Sequence, residues 1–218
     1  ITGNIDSSIQ ILDKALEIID NEVDDYLKGK IYNLYGVANY DKGNYNRAIE
    51  YQNKALKIFQ KIGDKKEVAG IMNNLGLAYS EINQKEKELE IYFELLEIEK
   101  GINNYTGISR TYTNLAHLYS DLGMYKEAIK YFNESIKLAR KAGHAKFLSA
   151  AFDGLAGVYK KQDDMENAIK FYYKAIEINK KHQFNIWLAN NYQNLALVMD
   201  QYYENDSLDV TIKYLKKG

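Results

Sequence analysis

Residues 112–119 read Tyr112-Thr113-Asn114-Leu115-Ala116-His117-Leu118-Tyr119, and Ala128-Ile129-Lys130-Tyr131-Phe132 follows after a short break. Tyr112, Leu115, Ala116 and Tyr119 recur at i, i+3, i+4 and i+7, the spacing of one helix face. Ile129, Phe132 and Ile136 continue the same period beyond the break. Gly123-Met124 interrupts the two runs, where glycine can end a helix in the left-handed conformation. The segment therefore reads as two helices joined by a tight turn.

The same frame returns every 40 residues. Gly36, Gly76, Ala116, Ala156 and Ala196 form a column of small residues. Tyr32, Met72, Tyr112, Phe152 and Tyr192 form a large column four places earlier. Tyr35, Leu75, Leu115, Leu155 and Leu195 make a third, and Asn39, Tyr79, Tyr119, Tyr159 and Met199 a fourth. In the second half of each unit Ala48, Glu88, Ala128 and Ala168 align, as do Tyr92, Phe132 and Tyr172, with Gln52 as the exception. Turns inside the units fall at Gly43-Asn44, Asn83-Gln84, Gly123-Met124 and Asp163-Asp164, and between them at Gly63-Asp64, Asn103-Asn104 and Gly143-His144. No segment alternates with period two, so strands are not expected.

The small column has a physical cause. Where two antiparallel helices cross closely, a large side chain overpacks the contact at a cost of about 1–3 kcal/mol. Glycine within a helix costs about 1 kcal/mol against alanine, so Gly36 and Gly76 are expected to serve such a contact. The aromatic column is then expected to fill the space between a unit and its neighbour.

These columns resemble the tetratricopeptide repeat pattern W-x2-L-G-x2-Y…A-x3-F…P. Tyr112-x2-Leu115-Ala116-x2-Tyr119 with Ala128-x3-Phe132 matches it, as does Phe152-x2-Leu155-Ala156-x2-Tyr159 with Ala168-x3-Tyr172. Two departures stand out: the period is 40 and not 34, and the chain contains no Pro at all. The six extra residues add ~9 Å of helix per unit. A 40-residue period also touches the HEAT and armadillo range, but the small and aromatic columns are those of the tetratricopeptide repeat. The longer unit is similar to that of kinesin light chains and of bacterial regulators that read short peptides. The resemblance implies an all-α fold, a right-handed α-solenoid of antiparallel helix pairs. Its expected divisions are a lone second helix over 1–26, repeats over 27–64, 65–104, 105–144 and 145–184, and a truncated repeat over 185–218 with a three-residue insertion near 204–207. Neither end resembles a polar capping repeat. The expectation is a part of a longer protein, with an output domain such as a DNA-binding, kinase or membrane segment elsewhere.

Composition narrows the function. The chain has 218 residues, with 29 Lys+Arg against 30 Asp+Glu and a net charge of −1. A dedicated nucleic-acid binder usually shows a basic excess. The absence of Cys removes disulfides, thiolate nucleophiles and Cys-ligated metals, though it does not fix the compartment. No apolar run approaches the ~18–20 residues of a membrane span. His117, His144 and His182 lie far apart with no metal-ligand spacing, and no phosphate-binding glycine loop or nucleophile elbow is present. Gly154-x-x-Gly157 falls inside an expected helix and is discounted as a loop motif. No enzymatic activity, metal or cofactor is expected.

The resemblance implies that first helices line a concave groove. Counting from the small column, Asn33, Asn73, Asn74, Asn114, Asp153 and Asn194 fall two or three places before it, and Val37, Leu77 and His117 one place after. Amides offer donors and acceptors that suit an extended peptide backbone. In the family, asparagines at these positions contact the ligand backbone, and the same residues also read as an ordinary solvated face. Lys160, Lys161 and Arg110 are candidate anchors for a carboxylate, with Asp41, Glu81 and Asp121 facing a basic residue. Phe147 and Trp187 share a column that either flanks the groove or packs between units. The expected function is a non-catalytic scaffold that holds a protein or peptide ligand, as the sensor or interaction part of a bacterial signalling protein. The alternative is a spacer or a module that self-associates end to end.

Overall fold

A computed structural model describes residues 24–204 together with Ile11, Leu12, Lys14 and Ala15. The lone helix expected over 1–26 and the insertion near 204–207 fall largely outside the described residues. Among the described residues the chain is all-α. Its helices are α1 (Asp25–Asp41), α2 (Tyr45–Ile62), α3 (Lys65–Glu81), α4 (Lys85–Gly101), α5 (Tyr105–Asp121), α6 (Tyr125–Ala142), α7 (Ala145–Lys161), α8 (Met165–His182) and α9 (Asn185–Glu204).

They belong to two compact units, Ile1–Asn104 and Tyr105–Gly218. In the first, α1 packs on α2, α2 on α3 and α3 on α4, and α1 also meets α3. In the second, α5 through α9 pack in the same sequential order, with α5 also touching α7. Within each unit, each helix thus meets its neighbour in sequence, and first helices meet across the second helix between them. This is the packing of stacked helix hairpins, in which a hairpin buries its apolar face only against the next one.

The turns follow from backbone conformation at a fixed step. Gly43, Gly63, Asn83, Asn103, Gly123, Gly143, Asp163 and Gln183, spaced 20 residues apart, all have positive φ between 54° and 82°. The residue after each one donates its N–H back to the carbonyl five residues earlier, as in Asn44 to Asn39 at 2.8 Å and Phe184 to Asn179 at 3.0 Å. This closure satisfies carbonyls left open by the helix end, and it needs no proline stop. Asp24, Asp64 and Asp164 cap the next helices by accepting backbone N–H groups of the first turn.

Leu75, Ile71, Met72, Tyr92 and Phe59 form the buried interior of the first unit, and Leu115, Phe132, Leu155, Tyr172 and Val198 that of the second. The small column works as expected. A Cβ on Gly36 would lie 2.4 Å from the Gln52 side chain, and one on Gly76 2.4 Å from the Tyr92 ring. What presses on the glycine is therefore the large side chain of the second helix. The aromatic column packs both within and between hairpins. Tyr112 and Tyr119 lie against Tyr131 at 5.7 and 5.4 Å, and Phe152 and Tyr159 against Phe171 at 6.0 and 5.4 Å. Phe152 and Tyr159 also join a cluster with Phe132 and Ile136 of the preceding hairpin, and Phe132 reaches Gly154.

Candidate groove on the first helices

A helix turns about 100° per residue. With the small column pressed against the second helix, residues two before and one after it point roughly 160° and 100° away, into the open. Residues three before it lie only about 60° away and flank the packed face. Exposure follows this phase. Val37, Leu77 and His117 are exposed, Asn74, Asn114 and Asn194 half-buried, and Asn73 is buried at 8% exposure. Asn73 is thus the least exposed of these candidates. Asn33 and Asp153, at the same phase, remain half-buried.

The amides are stitched together. In the first unit, Asn74 Nδ2 donates to Asn33 Oδ1 at 3.3 Å. In the second, the Asn194 amide acts on the Asp153 carboxylate across the same step from one first helix to the next, pulling its pKa down. Asn191 Nδ2 also donates to Asp153 Oδ1. The rungs are thereby oriented by their neighbours, leaving each amide part of its capacity for another group.

The charges expected at the helix ends are partly neutralised. Lys161 Nζ lies 2.9 Å from Asp121 Oδ1 and donates to Ser120 Oγ at 3.1 Å. The basic and acidic anchors proposed from the sequence therefore meet each other within the second unit. Tyr40 donates to Glu81 Oε1 at 3.1 Å, and burial followed by that carboxylate pushes the Tyr40 hydroxyl up to about 12. Lys160 and Arg110 are half-buried, Arg110 on α5 one face-length before His117.

A cavity of about 220 Å³ opens in the second unit, walled by His117 of α5, Ser149 and Asp153 of α7, Asn179 of α8, and Trp187 and Asn191 of α9. His117 sits edge-on to Phe132, with centroids 5.0 Å apart, and desolvation holds its pKa below 6.5. Asp121 opposes that shift and Lys161 reinforces it. Gly154 makes room for this arrangement: a Cβ there would fall 2.4 Å from Phe132 and 3.0 Å from His117. Burial raises the Asp153 pKa above 3.8, with the bonds from Asn191 and Asn194 pulling the other way. Asn179 is wholly buried, donates Nδ2 to Asn191 Oδ1 at 2.6 Å, and leaves its Oδ1 without a hydrogen-bond partner. Trp187 is 37% exposed and lines this cavity.

Asn179 and Asn191 escape the sequence reading. Asn179 shares its column with Phe59, Glu99 and Ala139, and Asn191 with Ile31, Ile71, Thr111 and Ala151. Each column already mixes polar with apolar residues, so an amide there does not stand out, although Glu99, Thr111, Asn179 and Asn191 are all buried. A wider cleft of about 490 Å³ lies over Leu148 and Phe152, rimmed by Arg140, Lys174 and Lys181, and none of the expected groove residues lines it. Among the described residues no group of three or more His, Asp or Glu is placed to hold a metal ion, and no helix is long and apolar enough to cross a membrane.

A family model described as Tetratricopeptide repeat matches residues 1–61, 28–100 and 107–181. None of the curated proteins compared matches the sequence. The fold is similar to that of the apo form of RapI, with a TM-score of 0.77 and 21% identity over 98% of this chain and 85% of that one. It is also similar to a STAND protein with a tetratricopeptide repeat sensor, PH0952 from Pyrococcus horikoshii, with a TM-score of 0.80 and 20% identity over 99% of this chain and 33% of that one. NprR in complex with its cognate peptide NprX is a third neighbour, with a TM-score of 0.71 and 18% identity over 94% and 59%. At these identities the likeness is one of fold.

Proposed function

We propose, for a chain that belongs to the tetratricopeptide repeat family, a non-catalytic binding role in which the open faces of the first helices hold an extended peptide or partner segment. The observation that carries this reading is the pairing of oriented amides with open apolar groups on one face. Asn33 and Asn74 lie beside Val37 and Leu77 in the first unit, and Asp153 and Asn194 beside His117 in the second. An extended backbone presents donors and acceptors in alternation, which such amides match, while the apolar spots take side chains. Asn114, Arg110, Lys160 and Lys161 belong to the same proposed surface. The fold shared with NprR, solved with a cognate peptide, and with a STAND protein carrying a repeat sensor supports the reading. On this reading the chain is the sensor or interaction part of a larger bacterial signalling protein.

Selection of a random peptide library on the full chain tests it. Peptides should enrich, and the selected ones should lose at least tenfold in affinity on Leu77→Asp or Asn194→Ala variants whose circular dichroism and melting are unchanged. Failure to enrich any peptide, or equal affinity for both variants, overturns the groove. Concentration-dependent light scattering without any peptide binding would favour self-association instead.

A further inference from the structure

We infer that the cavity between α5, α7, α8 and α9 is a pocket for one cationic side chain of the bound peptide, an arginine guanidinium. The inference rests on the peptide-binding reading above and names what that peptide carries. Hydrogen-bond accounting leads to it. Asn191 donates Nδ2 to Asp153 and accepts from Asn179 through Oδ1. Reversing the Asn191 amide would set its oxygen against the Asp153 carboxylate, so the chain of donors runs in one direction only. Asn179 therefore has to give its Nδ2 inward, and its Oδ1 is left as a buried acceptor with no donor. Asp153 receives neutral amides and makes no ion pair among the described residues. No Lys or Arg lines the cavity.

The cavity thus sets a carboxylate without a cationic partner beside an aromatic ring, with the unsatisfied Asn179 Oδ1 buried behind its wall. A buried acceptor and a buried charge both cost stability unless a ligand satisfies them. Water can supply a donor but not a positive charge. A guanidinium supplies both, with N–H donors in a planar fork, and its flat face stacks on tryptophan better than an ammonium does. Trp187 provides that ring at the rim.

Trp187 is the only tryptophan in the chain, so its fluorescence reports on this pocket alone. The probes are N-acetyl-arginine amide and its neutral isostere N-acetyl-citrulline amide, titrated into the full chain. The arginine compound should shift the Trp187 emission saturably, with the citrulline compound at least tenfold weaker and Asp153→Asn erasing the difference. Ala150→Lys, which places a built-in cation at a residue lining the same cavity, should block the arginine compound even if Asp153→Asn folds poorly. Library-selected peptides should contain arginine, and changing it to citrulline should cost tenfold or more on the parent chain but less than threefold on Asp153→Asn. Peptides that bind equally well with citrulline would overturn the pocket while leaving the groove intact. An Asp153-dependent response to the arginine compound with no selected peptide would uphold the pocket and overturn the groove.

Discussion

The Tyr92 ring of α4 is seated over Gly76 of α3 so closely that a Cβ at residue 76 would lie 2.4 Å from Tyr92 Cε1. Helix propensity alone predicts that Gly→Ala stabilises a helix by about 1 kcal/mol. At Gly76 the overpacking penalty of about 1–3 kcal/mol opposes it, and Tyr92 is fully buried with little space to retreat. Gly76→Ala is expected to destabilise by about 1–2 kcal/mol net. Gly70 lies in the same helix, is exposed, and has nothing within 4 Å of its would-be Cβ. Gly70→Ala should therefore stabilise by about 1 kcal/mol. Urea unfolding of the two variants side by side checks the opposite signs.

Gln183 closes α8 with φ +56°, in the place where Gly63 and Gly143 close α2 and α6. An L side chain in the left-handed region costs about 1–2 kcal/mol, and glycine is free of it. Part of that gain is offset by the greater freedom of glycine in the unfolded chain. Gln183→Gly should raise stability by about 0.5–1 kcal/mol. The converse Gly143→Gln should lower it by a similar amount, read from thermal melts of both.

Gln183 also marks where sequence reasoning stopped. Seven of the eight left-handed positions sit in the Gly, Asn or Asp turns named from the sequence, because those residue types adopt positive φ at low cost. Glutamine carries no such signal, and only the 20-residue step betrays it. The open face of the first helices was legible to the same degree. The exposure of Val37, Leu77 and His117 follows from helix phase, which is a property of position. Whether Asn73 faces out or in depends on about 60° of rotation, finer than a column count resolves. Partners were least legible: that Lys161 takes Asp121, or that Asn179 takes Asn191, depends on distances between hairpins and not on spacing within one.

Gln52 stands in a column held elsewhere by Tyr92, Phe132 and Tyr172, and it is fully buried against Gly36. Its Nε2 donates to the Asn33 carbonyl at 3.2 Å, but its Oε1 has no partner. An unsatisfied buried acceptor costs about 1–3 kcal/mol, whereas a neutral hydrogen bond returns about 0.5–1.5 kcal/mol. Methionine has nearly the same shape and no strong polar atom. Gln52→Met is therefore expected to stabilise the first unit by up to about 1 kcal/mol. The denaturant midpoint of this variant should rise above that of the parent.

Asp153 ties the proposed pocket to stability through its proton. Burial raises its folded pKa above 3.8, so the folded chain binds more protons than the unfolded one between 3.8 and that raised value. Stability due to this group therefore falls as pH rises through the window, and the full penalty applies above it. Asp153→Asn keeps an acceptor for Asn191 and removes the charge, so it should melt above the parent at neutral pH. The gain should close as pH falls toward 3.8, where the parent carboxyl takes up its proton. His117 runs the other way, since its lowered pKa makes the unfolded chain protonate first as pH drops below 6.5. Both proteins carry His117, so its contribution cancels in the difference of melting temperatures provided the variant leaves its environment unchanged. The measurement is that difference across a pH series. A variant that melts below the parent at neutral pH would mean that the bonds from Asn191 and Asn194 outweigh the cost of burying the charge. A residue held for binding at some cost to stability is the expected trade between stability and function.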